Sequence, residues 1–588
     1  MSAMRALSAL AARGSRISGV RLHALVALGC AFVAFICFAP ALIDPAHRFI
    51  GAAGSDPIEK MWFLSWAPYA LSHHQPLLYS SAINYPTGIN MMWNNSTLLL
   101  GVVLAPVSAL WGPVVAYNLG MYAAVVASAW SGYWAIGRLV PSRIGSIVGG
   151  LLYGFSPYMM GQSLGHLTLV VMVYPPIVLV LFHEIVVLQR HRWWFLGVML
   201  GVATSGQLFI SEEVLASTAI AAAVGTLTLA VLHRNQCSQA RLAYALRAAL
   251  ASVAVAAVLC GWAVWFQFTG PDQVHQTLQA FGGFVTDPVG FIVPTANQFI
   301  APSTLVAVAQ HFRGNPSEWD AYLGLPLCGV VVWVVWTEWS AQLVRVLACT
   351  AVIITILSLG PYVVIRGHQF PIPLPWLVTE HIPVLKNLLP NRFMSEVYLL
   401  VGVLIAYITH HWPRTPAARR RAGIVALAAG LCFMPALFRP STPLPASSRI
   451  PSEARDVLAG GGVVLPSPFA TSEDPVAMLV QAESNFAFTI PGGYAYAPNL
   501  PPVAPASALA RLDAAGSTQL RVATLASSAA RAQALVLLRE AGIQTIVVFA
   551  ESDASEFRNF WTALLGEPPI LYGSVAIWTE VGSITARA

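Results

Sequence analysis

Eleven stretches of about 20 predominantly apolar residues recur along this chain. A segment of that length and character is stable where it buries its backbone in its own hydrogen bonds and its side chains in hydrocarbon. The windows lie near 23–43, 114–137, 144–160, 168–189, 194–210, 214–232, 247–268, 323–338, 345–365, 394–410 and 422–438. Their apolar residues carry no clean surface periodicity, so the pattern predicts a polytopic α-helical membrane protein with about 11 transmembrane helices. Composition agrees: 57% of the 588 residues are hydrophobic and only 10% charged, far from the roughly quarter-charged soluble domain. The first window follows a segment, 1–22, with Arg5, Arg13, Arg16 and Arg21. It is too long for a signal-peptide core and has no small-residue cleavage site, so it is expected to remain as the first span.

The arginines orient the spans. With the N-terminus cytoplasmic, alternate turns hold Arg138 and Arg143, Arg190 and Arg192, Arg234, Arg241 and Arg247, Arg345, and Arg414 with Arg419 to Arg421. The other face receives three long loops poor in charge, 44–97, 269–322 and 366–393, and everything after residue 438. Residues 97–112 are apolar but short and contain Pro106; counting them as a span would put the arginines outside, so they are read as a helix along or dipping into the membrane. The formal charge of +6 is then an orientation signal, and no basic, aromatic-rich patch suggests nucleic acid. The seven cysteines, Cys237 among them, show no CxxC or Cys/His spacing, so neither disulfides nor zinc are expected.

From 439 to 588 the texture is that of a soluble α/β domain, expected to be extracytoplasmic. SRIPSEARDVLAGGGVVLPSPF reads as helix, glycine turn and strand, VLLREAGIQTIVVFAES as helix, turn and buried strand, and ILYGSVAIWTEV as a closing strand. No phosphate-binding loop, nucleophile elbow or metal-ligand spacing occurs in it.

The first long loop opens with GSDPIEKMWFLSWAPYAL (54–71), which gathers Asp56, Glu59 and Lys60 beside several aromatics. One reading is structural: in Ser55-Asp56-Pro57 the Asp56 side chain caps a helix with Pro57 at its first position, Glu59 at the third completes a capping box, and Trp62 and Trp66 sit in an interfacial belt. The other is chemical: the same turn presents a carboxylate that accepts a proton from an attacking hydroxyl. Further polar residues collect at predicted outer helix ends. Glu212 and Glu213 follow Ser211 either as a helix cap or as sugar ligands. His166 with Gln162 reads as a hydrogen-bonded structural residue or a ligand, and Glu318, Trp319, Asp320 and Tyr322 in NPSEWDAYLG suit either sugar binding or an interfacial belt. Lys386 and Arg392 precede the tenth window, as snorkelling anchors or phosphate ligands, with Arg366 and Lys60 weaker candidates of the same kind.

The long first loop with its early Asp56, the YPTGIN stretch (85–90), FSPYM (155–159) and VLKNLLPNRF (384–393) together resemble the GT-C superfamily of membrane glycosyltransferases over roughly residues 22–440. The resemblance implies an enzyme of the inner membrane that moves a sugar from a polyprenyl-phosphate carrier to a glycan, lipid or protein acceptor, often with a C-terminal periplasmic α/β domain. Asp56 would be the general base of an inverting transfer, Arg392 and Lys386 would hold the donor phosphate, and Glu59, His166, Glu212, Glu213, Glu318, Asp320 and Tyr322 would bind substrate. The first loop lacks an adjacent pair of acids, and no cofactor or metal is implied. A transporter or flippase of lipid-linked precursors, or an envelope-assembly scaffold, would use the same spans; the former should show ionisable residues in mid-span. His183 and Glu184 are the main exceptions to the clustering of charge at helix ends.

Overall fold

The computed structural model describes residues 2–234, 238–275, 278–382, 384–411, 415–460, 462–498, 506–516, 528–549 and 554–587. Cys237 and Arg414 lie outside the described residues. The chain divides into two compact units. The first comprises Met1–Ile43, Leu119–Ala256 and Gln279–Pro440; the second comprises Asp44–Asn118, Ala257–Leu278 and Ser441–Ala588.

Among the described residues six helices are long and apolar enough to cross a membrane: Val20–Leu42, Leu98–Leu139, Leu167–Leu188, Glu212–Leu232, Gln239–Thr269 and Pro390–His410. Three shorter apolar helices, Leu325–Thr337, Gln342–Ser358 and Gly423–Phe433, occupy three more of the eleven windows. The remaining two windows differ from expectation for local reasons. Window 144–160 is a 12-residue helix, Arg143–Gly154, which stops at Phe155; Ser156 then caps a new short helix, Pro157–Gln162, by accepting the Met159 N–H. Window 194–210 is the 16-residue helix Trp193–Leu208. Two window ends are corrected as well. The ninth window runs into a strand, Tyr362–Ile365, paired with His368–Pro373, and the eleventh ends as helix at Phe433. Beyond it the chain is extended, and Arg439 donates its backbone N–H to Cys37.

In the first unit the Met394–His410 helix forms the centre. It is buried along nearly its whole length, between Arg143–Gly154 and Gln342–Ser358. The peripheral helices keep large apolar side chains outward, such as Trp336, Leu242 and Ile144, as expected of helices whose surroundings are hydrocarbon. Residues 98–112 do form a helix, and Gly112 (φ 84, ψ 172) breaks it before Pro113 starts the longer continuation.

The second unit joins the first long loop to the tail. Arg48–Ile50 pairs antiparallel with Ser441–Pro443. The tail carries a four-stranded sheet in the order Val464–Ser467, Thr545–Val548, Val575–Trp578, Ile570–Tyr572; the first pair is parallel and the other two antiparallel. The closing ILYGSVAIWTEV stretch is thus a hairpin, turned at Gly573 (φ 61), followed by a helix, Val581–Arg587. The sheet is covered by Ser528–Glu540 and Ala554–Leu565, with Phe557, Phe560, Trp561 and Leu564 in the core.

Candidate functional site

In the second unit the helix Asp56–Ser72 carries Asp56 and Glu59 in its first turn. The helix begins at Asp56 itself, one residue ahead of the expected start at Pro57. Ser55 is itself helical (φ −84, ψ −29) and makes no side-chain cap; its hydroxyl is donated to the Ser472 carbonyl of the tail. Pro57 follows Asp56 in that first turn, where an N–H would find no intrahelical acceptor. The Asp56 carboxylate accepts a 2.9 Å hydrogen bond from the Tyr494 hydroxyl. Burial, and next the Glu59 and Asp56 carboxylates, push the Tyr494 hydroxyl far above its usual range, so it stays a donor. Glu59 pairs with Lys60 at 2.8 Å, both buried.

The aromatic residues of this helix do not form a surface belt. Trp62 is 0% exposed, donates its indole N–H to Gln481 at 2.6 Å and stacks on Trp66 at 5.7 Å. Phe486 of the tail meets both rings edge-on at 5.3 and 5.4 Å. Gln481 passes its own N–H groups to the carbonyls of Ala82 and Phe488 at 2.8 and 2.7 Å. Asn90, which ends the YPTGIN stretch, and Asn94 anchor the first long loop. Asn90 donates to Pro271 at 3.0 Å and more weakly to Phe266, and Asn94 exchanges two hydrogen bonds with the Tyr496 backbone, at 2.9 and 2.6 Å.

The first unit holds a second polar cluster. Arg392 gives Nη2 to Glu318 at 2.5 Å and Nε to the same carboxylate at 3.3 Å, while Nη1 pairs with Glu213. Glu318 also accepts from Gln162 at 3.1 Å and from Asn391 at 2.7 Å. His166 sits 2.6 Å from Gln162 and 3.8 Å from Glu318. Five of the residues singled out in sequence, Gln162, His166, Glu213, Glu318 and Arg392, therefore meet. Arg392 is already bound by two carboxylates, so its guanidinium is no vacant anion hole. Asp320 is 1% exposed, and neither carboxylate oxygen reaches a hydrogen-bond partner among the described residues. The neighbouring Gln162 and Asn391 amides give their N–H groups to Ser317 and Glu318 instead. Burial, and then Glu318, raise the Asp320 carboxyl well above its usual range. A water-sized cavity borders Asp320, Glu318 and Asp287. The Tyr322 hydroxyl is pushed up to about 12 by burial; its backbone carbonyl and that of Asp320 lie 2.9 and 2.7 Å from the Tyr398 hydroxyl.

Glu212 stays half-buried in the first turn of Glu212–Leu232, which Ser211 caps through the Val214 N–H at 3.4 Å. Lys386 is half-buried in the short turn Leu385–Asn387. Arg366 is exposed at a hairpin turn. Glu184 pairs with Arg190 at 2.9 Å and His191 at 3.4 Å, an end-of-helix ion cluster.

Four residues escaped the sequence reading. Tyr494 and Gln481 carry no local motif. Glu396, inside an apolar window, had a signal in its charge alone; it accepts from the Ser217 and Thr218 hydroxyls at 3.1 and 3.0 Å. Arg439 is buried and gives Nη2 to Met160 and Asn297 at 2.5 and 2.9 Å. Among the described residues no three His, Cys, Asp or Glu side chains are grouped as metal ligands.

A family model described as "Domain of unknown function (DUF6311)" matches residues 26–434. No curated protein sequence matches the chain. In three dimensions it is similar to the arabinofuranosyltransferase AftD from Mycobacteria, at 14% identity and a TM-score of 0.50 over 95% of this chain. The R1389S mutant of AftD, class 2, gives 15% and 0.54 over 96%. The chain spans about two fifths of AftD, 40% and 41% of the two structures. A looser likeness, at 9% identity and a TM-score of 0.43, links 93% of it to 71% of the Archaeoglobus fulgidus oligosaccharyltransferase AglB in complex with an inhibitory peptide and a dolichol-phosphate. The likeness to AftD is one of fold.

Proposed function

The chain belongs to the DUF6311 family, and we propose that it is a membrane glycosyltransferase that moves a hexose or pentose from a polyprenyl-phosphate carrier to an acceptor hydroxyl outside the cytoplasm. The observation that carries this reading is the Asp56 carboxylate, held by Tyr494 at the head of the first-loop helix within a GT-C fold. Asp56 takes the proton of the acceptor hydroxyl as its oxygen bonds to the anomeric carbon. The bond from that carbon to the phosphate oxygen breaks, and its electron pair leaves with the phosphate. One displacement inverts the anomeric centre, and the acidic phosphate departs without a general acid.

For the donor phosphate we keep Arg392 and Lys386, of which Lys386 is the simpler ligand, because Arg392 would have to exchange a carboxylate for a phosphate. Glu59, His166, Glu212, Glu213, Glu318, Asp320 and Tyr322 are retained as candidates for substrate recognition. Glu59, Glu213, Glu318 and His166 also serve the polar clusters that hold them. We further propose that the transfer runs without a metal, with the N-terminus cytoplasmic and the C-terminal segment outside, in a bacterial inner membrane. A flippase reading draws on Glu396, a carboxylate inside a span, but hydroxyl donors already satisfy it.

The test uses purified protein in nanodiscs, a panel of radiolabelled polyprenyl-phosphate sugars and a membrane extract as acceptor. Wild type should transfer label in the presence of EDTA. Asp56→Asn should lose transfer by roughly 10²-fold or more with its thermal unfolding unchanged. Transfer from no donor would end the enzyme reading, and an Asn variant matching wild type would remove Asp56 from it.

A further inference from the structure

The Asp56 carboxylate, in the first turn of its helix, accepts a 2.9 Å hydrogen bond from the hydroxyl of Tyr494, a residue 438 positions later. The segment bearing that partner is laced to the first loop on both sides. Ile490 donates its N–H to Ala82 at 2.9 Å, Tyr85 and Asn84 donate to Ile490 and Gly492 at 3.1 and 3.0 Å, and Tyr496 donates to Asn94 at 2.6 Å. Tyr494 is further fixed by Gly493, whose N–H reaches the Ala470 carbonyl at 2.9 Å.

We propose that Tyr494 is a positioning residue for Asp56: its hydroxyl fixes the carboxylate's orientation and stabilises its charged form, so that the C-terminal segment supplies part of the catalytic apparatus. The inference rests on the reading of Asp56 as the base. A hydrogen bond donated to a carboxylate favours the ionised form, and it removes rotamers that do not face the incoming hydroxyl. Among the described residues the ionisable groups near Asp56 include Glu59, paired with Lys60, on its own helix, Tyr117 on Leu98–Leu139, and Tyr494 from the tail, which Tyr496 faces in turn. Tyr494 donates its hydroxyl to Asp56 at 2.9 Å, and Tyr494→Phe removes that donor while keeping the ring.

Two measurements decide the proposal. In the nanodisc assay Tyr494→Phe should lower kcat about tenfold, leave the donor KM within about twofold, and move the acidic limb of the kcat/KM profile to higher pH. Independently of turnover, carbodiimide labelling of Asp56 followed by mass spectrometry across pH 4 to 8 should show its protonated form persisting to higher pH in the variant. A labelling midpoint that does not move, or a variant with wild-type kcat and pH profile, overturns the proposal. If wild type transfers no sugar, the glycosyltransfer reading falls, and the labelling midpoint alone still decides whether Tyr494 governs Asp56.

Discussion

Asp513 sits in the tail, 2% exposed, accepting from the Phe469 N–H at 2.7 Å and from the Ser467 hydroxyl. Burial outweighs those bonds and pushes its carboxyl up to about 7, whereas an unfolded Asp titrates near 4. Between those values the folded chain binds the proton more tightly than the unfolded one. Stability contributed by this group is therefore full below about pH 4, falls as pH rises to about 7, and is level above. In differential scanning fluorimetry of the full-length protein, the melting temperature should drop from pH 5 to pH 8, and Asp513→Asn should flatten that drop; parallel slopes would assign the effect elsewhere. The same environmental logic governs the Arg392 cluster. Removing that guanidinium takes the ion-pair partner from buried Glu318 and half-buried Glu213, and breaking a buried pair such as that of Glu318 costs about 3 to 5 kcal/mol. Glu318, Asp320 and Arg392 were all visible as isolated suspects in the sequence. Their roles were not, because a residue's charge is local while its partner, 74 positions away for Glu318 and Arg392, is chosen by packing.

The short helix Arg143–Gly154 shows how an element can be recognised and still misjudged. Its apolar residues mark it as a membrane segment, yet it is a 12-residue piece wedged against the central helix. A Cβ placed on Gly149 would lie 2.7 Å from the Gly402 carbonyl oxygen, and one on Gly402 would lie 3.0 Å from that of Gly149. The two backbones therefore touch, the small-residue packing of helices in hydrocarbon. Gly149→Leu should prevent this contact from closing, so that the purified variant aggregates or melts at least several degrees below wild type in the same detergent; an unchanged melting curve would mean the two helices separate without consequence. The Asp56–Ser72 helix was misjudged in the opposite direction. Its tryptophans suit a membrane surface by composition, but they are buried because the tail provides Phe486 and Gln481 to cover them.

At the scale of the whole molecule, the tail and the first long loop fold as parts of one unit, and Gln481 ties them through two hydrogen bonds, with Trp62 and Ala82, while a third, to Phe488, stays within the tail. Gln481→Leu keeps the volume but strands the Trp62 indole and two carbonyls, at about 1 to 3 kcal/mol for each buried group left unpaired. Hydrogen exchange read by mass spectrometry should then quicken in residues 56–72 as well as in the tail; a change limited to the tail would show that the loop stands alone. The sequence by itself determined that the chain is a multi-pass membrane protein, where its apolar windows lie, that the texture changes to mixed helix and strand after them, and that its layout resembles a GT-C glycosyltransferase. Each of these depends on properties summed over a local window, and hydrocarbon acts on every such window separately. Only the tertiary structure decided that Tyr494 meets Asp56, that Gln481 meets Trp62 and that Arg392 lies between Glu318 and Glu213. Those pairs join residues far apart in the chain, and they are selected by the burial of polar groups that must find partners wherever packing brings them.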